Sequence, residues 1–190
     1  MSDKFKLLLK QIHFPQHEEA YNEIKSGSIE SVKLFKSKRQ WFFVFSFRNL
    51  LSYETFTLFD NLLHSSFDSL GAKVSYMINV EDISCDQSLL EAYFSYALDI
   101  LKSSHFSIYS LFSNLGIEIS NNSISVKAPA HILRENLHER FIALIADVLS
   151  NVGLSNVSIS VLEDKEASSS LEEAYETNKI SLQEEAESQA

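Results

Sequence analysis

Residues Lys36 to Phe47 read KSKRQWFFVFSF, a basic stretch that runs straight into a Trp and four Phe within seven residues. A strand with one face in water alternates apolar and polar side chains. Here Trp41, Phe43, Phe45 and Phe47 make one face, and Phe42 and Val44 make part of the other. The strand is therefore apolar on both sides where it leaves the turn. Upstream, SIESVKLFK (Ser28–Lys36) reads as a second strand, and Ser37–Gln40 as the turn of an antiparallel hairpin.

Working outward, Phe5, Leu8, Leu9 and Ile12 recur at helical spacing, and Pro15 ends that helix. After the hairpin, Ser52 with Glu54 marks a helix start. Phe56, Phe59, Leu63, Phe67 and Leu70 form its inward stripe, and Gly71 is its C′ residue. Lys73–Val80 alternates as a strand, and a helix covers about Asp86–Lys102. The order α-β-β-α-β then recurs. It runs through a short helix at Phe106–Leu115, strands at Gly116–Ser120 and Ser123–Lys127, a long helix after Pro129 ending at Gly153, and a strand carrying Val157, Ile159 and Val161. An offset of 82 residues superposes Phe59 on Phe141, Gly71 on Gly153, and LLEAY at Leu89 on LEEAY at Leu171. The reading is α+β: two tandem α-β-β-α-β units, residues 1–102 and 103–165, followed by a flexible acidic segment, 166–190. The competing reading is that compact α+β folds share element orders by chance.

Charge follows the same division. Residues 166–190 hold seven Glu and one Lys, a net −6; residues 1–165 hold 15 basic and 19 acidic residues, a net −4, within a total of −10. The first 48 residues are basic, nine against five. A nucleic-acid-binding domain carries a clearer basic excess. The single Cys85 excludes an internal disulfide and a multi-cysteine zinc site, and suits a reduced, cytoplasmic setting. The amphipathic start MSDKFKLLLKQI is neither a signal peptide nor a membrane span.

Candidate chemistry is thin. His131, Glu135 and His138 fall at i, i+4, i+7 on the expected long helix; the spacing could hold a metal, but with no fourth ligand suggested it reads as a solvated face. His13 and His17 flank Pro15 as surface residues. Cys85 has Asp82 and Asp86 nearby, which disfavours a reactive thiolate. Glu81–Asp82 and Glu163–Asp164 end strands, where they bias the helices that follow. With four glycines, well separated, and no nucleophile motif, no active site and no cofactor site can be assembled from the sequence. The α-β-β-α-β order is that of a type II KH domain, yet the expected clamp position reads AHILRENLHER, without the G-x-x-G that holds single strands.

The opening MSDKFKLLLKQIHFP, the hairpin SIESVKLFKSKRQWFFVFSF, the helix LLEAYFSYALDIL, the turn NNSISVKAPAH and the acidic end together resemble the N-terminal region of the PolC-type DNA polymerase III alpha subunit of low-G+C Gram-positive bacteria. That resemblance implies a first domain like the polymerase-binding C-terminal domain of the clamp-loader tau subunit, and a second, degenerate KH-like domain. It implies that OB-fold, 3′–5′ exonuclease and polymerase domains follow in the full-length enzymes; their catalytic residues have no counterparts here. Expected function is non-catalytic docking of replisome proteins (clamp-loader tau, helicase or another polymerase subunit), with at most weak nucleic-acid contact and no membrane. The alternative is a stand-alone KH-like module for single-stranded nucleic acid. Candidate partner-binding residues are Phe35, Lys36, Lys38, Arg39, Phe42 and Val44. The outward apolar residues among them either form that contact surface or are covered by the helix at 86–102 or by the second unit.

Overall fold

The hairpin forms as its pattern requires. The computed structural model describes residues 3–16, 19–120 and 122–165. Strand β1 (Ser28–Phe35) pairs antiparallel with β2 (Gln40–Asn49), which pairs in parallel with β3 (Lys73–Asp82), giving a sheet of order β1-β2-β3. Helix α3 (Tyr53–Ser69) is the crossover between the two parallel strands. Trp41, Phe43, Phe45 and Phe47 stand opposite Val74, Tyr76, Ile78 and Val80. The register of β1 shifts between Ile29 and Ser31. That bulge keeps Ile29 on the same side as Val32 and Leu34, where strict alternation would have put it on the opposite face.

Helices cover this aromatic face. Helix α1 (Asp3–Gln11) buries Phe5, Leu8 and Leu9, and Phe5 meets Phe45 and Phe47 edge-on at 5.9 and 5.7 Å. Such edge contacts suit the ring quadrupoles. The chain leaves α1 through His13, at φ 57°, ahead of Pro15. A short helix, α2 (Glu19–Ile24), follows; the sequence pattern did not disclose it, because a six-residue helix shows less than two turns of periodicity. It is fixed by side chains: both the Ser52 amide and its hydroxyl donate to the Glu23 carboxylate, at 2.8 and 3.0 Å, and Ser52 caps α3 by accepting from the Thr55 amide at 3.3 Å. Replacing Ser52 with Ala should cost about 1 kcal/mol, read as a thermal melting point lower by roughly 2–4 °C.

Helix α4 (Gln87–Ser104), capped by the Asp86 carboxylate accepting from the Leu89 amide at 2.8 Å, packs against α3 on one side. On the other side it meets α5 (Phe106–Phe112) and α7 (Leu137–Asn151). Strands β4 (Gly116–Ser120) and β5 (Ser123–Ala128) form a second antiparallel hairpin, and β5 pairs in parallel with β6 (Ser158–Glu163). Both sheets thus share one order and one pattern of pairing. Their buried side chains join in a single cluster from Phe5 to Leu154 that includes Leu90, Tyr93, Phe94, Ala97 and Leu101 of α4.

Both expected terminal glycines adopt left-handed backbone, Gly71 at φ 64° and Gly153 at φ 99°. In each case the two amides after the helix bond back in the Schellman pattern: Gly71 to Asp68 and Ala72 to Phe67, Gly153 to Ser150 and Leu154 to Leu149. The long helix expected after Pro129 is broken. Pro129 is the N-cap of α6 (Ala130–Arg134), and Asn136, at φ 54°, separates it from α7. Asn tolerates the left-handed region better than most side chains, so the chain turns there. The segment 166–190 lies outside the described residues, as does His17.

Candidate interaction surface

The basic turn is a single 3-10 turn, Lys36–Lys38, closed by Arg39 at φ 48° with its amide donating to the Lys36 carbonyl at 3.3 Å. The Lys73 amide donates to the Arg39 carbonyl at 2.8 Å, tying the turn to the start of β3. Phe35, Lys36, Lys38 and Arg39 are all exposed, Phe35 at 46%.

Alternation then splits the candidate residues between two faces. Phe42 sits between Lys33 and Ser75, and Val44 between Ser31 and Met77; Phe35 precedes them on the same side. Phe42 and Val44 are half-buried, and neither belongs to the buried cluster nor packs against it. They form an outer strip with Phe35, flanked by Ser31, Lys33, Ser75 and Met77. Lys36 and Arg39 point the other way. They line a groove on the aromatic side of the sheet, so the structure does not bring them together with Phe42 and Val44.

That groove, of about 900 Å³, lies where the helix layer stops short of the hairpin end. Its floor is Val32, Leu34, Trp41 and Phe43. One wall is Lys4, Leu7, Leu8 and Gln11, a single face of α1, and the other is Phe67, Leu70, Gly71 and Ala72 at the end of α3. Leu7 is 62% exposed, Leu34 45% and Leu70 76%. Leu70 was expected in the inward stripe of α3; it is the C-cap residue, beyond the last helical turn, and the chain there points it to water. The groove was missed because the Trp41 face reads as core. The signals available were Leu7, which lies off the stripe of α1, and the Val32/Leu34 pair on the edge strand.

Elsewhere the chemistry is structural. The break at Asn136 takes His131, Glu135 and His138 off one helix face, and among the described residues no group of three or more His, Cys, Asp or Glu could hold a metal ion. Burial, with Asp86 second, pushes the Cys85 thiol up, away from thiolate reactivity. Burial and then Asp60 push the Tyr76 phenol far up; it stays protonated and donates to Asp60 at 2.5 Å, beside His64 at 3.3 Å from the same carboxylate oxygen. The outer face of the second sheet is mostly polar, with Leu162, 52% exposed, beside Lys127. Ser125 and Ser160 bond across the strands at 3.0 Å, and Lys127 pairs with Glu118 at 2.6 Å. Among the described residues no helix is long and apolar enough to cross a membrane.

Residues 4–78 match the family model described as DNA polymerase III polC-type N-terminus I, and residues 92–190 match DNA polymerase III polC-type N-terminus II. The whole chain is 27% identical over 190 residues to the DNA polymerase III PolC-type of Streptococcus agalactiae serotype III (strain NEM316), covering 13% of that protein. It is 24% identical over 182 residues, 96% of the chain, to the PolC-type enzyme of Streptococcus pyogenes serotype M5 (strain Manfredo), covering 12% of it. The Streptococcus suis (strain 98HAH33) enzyme is 27% identical over 163 residues, 85% of the chain and 11% of that protein. No solved structure matches the chain. With both N-terminal models matched in order, the chain belongs to the PolC-type DNA polymerase III family and corresponds to its N-terminal region.

Proposed function

We propose that this chain is a non-catalytic protein-docking region of a replicative polymerase and acts in DNA replication. The observation that carries the reading is the apolar groove beside the basic turn, where Leu7, Leu34 and Leu70 are exposed side by side on a folded α+β body. Contiguous exposed apolar groups of this kind mark contact surfaces. In this reading residues 1–102 form a tau-like docking unit, residues 103–165 a KH-like unit without its nucleic-acid clamp, and replisome proteins in the cytoplasm are the partners. Lys127, the one cation on the outer face of the second sheet among the described strand residues, is paired with Glu118, which makes that face a poor seat for phosphates.

The test is direct binding of the purified chain to purified clamp-loader tau, to the replicative helicase and to single-stranded DNA, between about 50 and 200 mM salt. Binding to one of the proteins should persist across the range with only a few-fold loss. Binding to DNA alone, falling log-linearly with salt, would instead establish the nucleic-acid module.

A further inference from the structure

The groove has a definite chemical character. Its floor and walls are mostly apolar, built from Leu, Ile, Val, Trp and Phe side chains. Among the described residues the charged side chains that line it are Lys4, Lys36 and Arg39, and no carboxylate does. This holds in a protein of net charge −10. Cations gathered around an apolar floor, against the sign of the whole molecule, define what can sit there.

Shape narrows it further. Sheets in two-layer folds are covered by helices. Here α1 packs on β1 and α3 on β3, with Phe67 of α3 edge-on to Trp41 at 5.9 Å, while among the described residues no helix lies above Val32 and Leu34 at the hairpin end of β1. A helix laid there would extend the existing layer, with one wall already supplied by Lys4, Leu7, Leu8 and Gln11 of α1. We infer that this groove takes an amphipathic, acidic helix of a partner protein, its apolar residues at i, i+3, i+4 and i+7 seated on Leu34 and Trp41 and its carboxylates facing Lys4, Lys36 and Arg39. The inference rests on the docking function proposed above and names the partner's chemistry. The apolar floor supplies most of the affinity, and the cationic rim raises the association rate and selects the sign of the ligand.

Trp41 is the only tryptophan of the chain, so its fluorescence reads occupancy. The probe is a Trp-free synthetic helix of roughly 15 residues with Leu and Phe at those four positions and Glu elsewhere. Its twin carries Lys in place of every Glu. Titrated into the full chain, the Glu peptide should give a saturable shift in Trp41 emission, and the Lys twin should bind at least about tenfold more weakly. Leu34→Asp, at a residue already exposed, should abolish the shift. K36E combined with R39E should weaken the Glu peptide and strengthen its twin, while Phe42→Ser on the opposite face should change neither titration.

Equal binding of the twins, no saturable shift, or indifference to Leu34→Asp would overturn the assignment. So would a concentration-dependent dimer of the chain alone that Leu34→Asp abolishes, since the occupant would then be a second copy. Displacement of the probe by a peptide of residues 166–190 would make the occupant the chain's own acidic segment, and displacement by an oligonucleotide would make it nucleic acid; either overturns it. If tau or helicase still binds Leu34→Asp undiminished, this inference fails while the docking function stands.

Discussion

Replacing Phe43 with Ser should unfold the chain or come close to it, while replacing its neighbour Phe42 with Ser should leave a folded protein. Phe43 is 5% exposed and sits in a ring stack, 5.4 Å from Phe45 and 6.1 Å from Trp41, with Phe67 edge-on at 5.6 Å. Removing the ring should cost about 3–5 kcal/mol, and a buried serine hydroxyl without a partner about 1–3 kcal/mol more. That is comparable with the whole stability of an ordinary domain, about 5–15 kcal/mol. Phe42 lies one residue away but on the outer face, half-buried and clear of the core. Its loss should cost roughly 1 kcal/mol, the range of a strand-surface substitution. Urea or thermal melts of the two variants check this. Equal destabilisation would mean that something covers the outer strip, and the doubled apolar pattern of the strand would then be a burial feature.

Gly153→Ala should destabilise far more than Gly71→Ala, although both glycines end a helix in the same motif. At either site an alanine must enter the left-handed region, which costs about 1–2 kcal/mol. At Gly71 nothing among the described residues lies within 4 Å of the added methyl group, so that cost is the whole effect. At Gly153, with φ 99°, the methyl would come 2.5 Å from Val80 Cγ2 and 3.6 Å from both Ile78 Cγ2 and Leu50 Cδ1. These belong to β3 and the loop after β2, so the end of α7 rests directly on the first sheet. Relieving the clash should add a further 1–3 kcal/mol or so. The measurement is the difference in unfolding midpoint between the two variants. Similar midpoints would mean that α7 can withdraw from β3 without loss, and that this contact does not hold the two halves together.

Much of the fold was legible because it rests on local rules. Gly71 and Gly153 mark helix ends because only glycine enters the left-handed region freely. Asp86 and Ser52 start helices because their side chains accept from orphan amides, and the alternation in β2, β3 and β5 follows from the period of a strand. The recurrence of α-β-β-α-β came from the same signals read twice. What local rules could not give was α2, too short to show a period and fixed instead by Glu23 reaching Ser52 across 29 residues. Nor could they give the break at Asn136, where an apolar stripe continues through a turn.

The site divides in the same way. The sequence by itself determined that β2 is apolar on both faces, that a basic turn adjoins it, and that Phe42 and Phe43 point in opposite directions. Only the tertiary structure decided which apolar residues remain in contact with water. The helices α1 and α3 cover Phe43, Phe45 and Phe47 yet stop short of Val32 and Leu34, and the bulge at the start of β1 fixes which of its residues share that side. Burial depends on what other elements lie above a side chain, and on how far they extend. Neither is encoded in the spacing of the strand itself, so Lys36 and Arg39 could be read as exposed from their positions, but not as the rim of a groove.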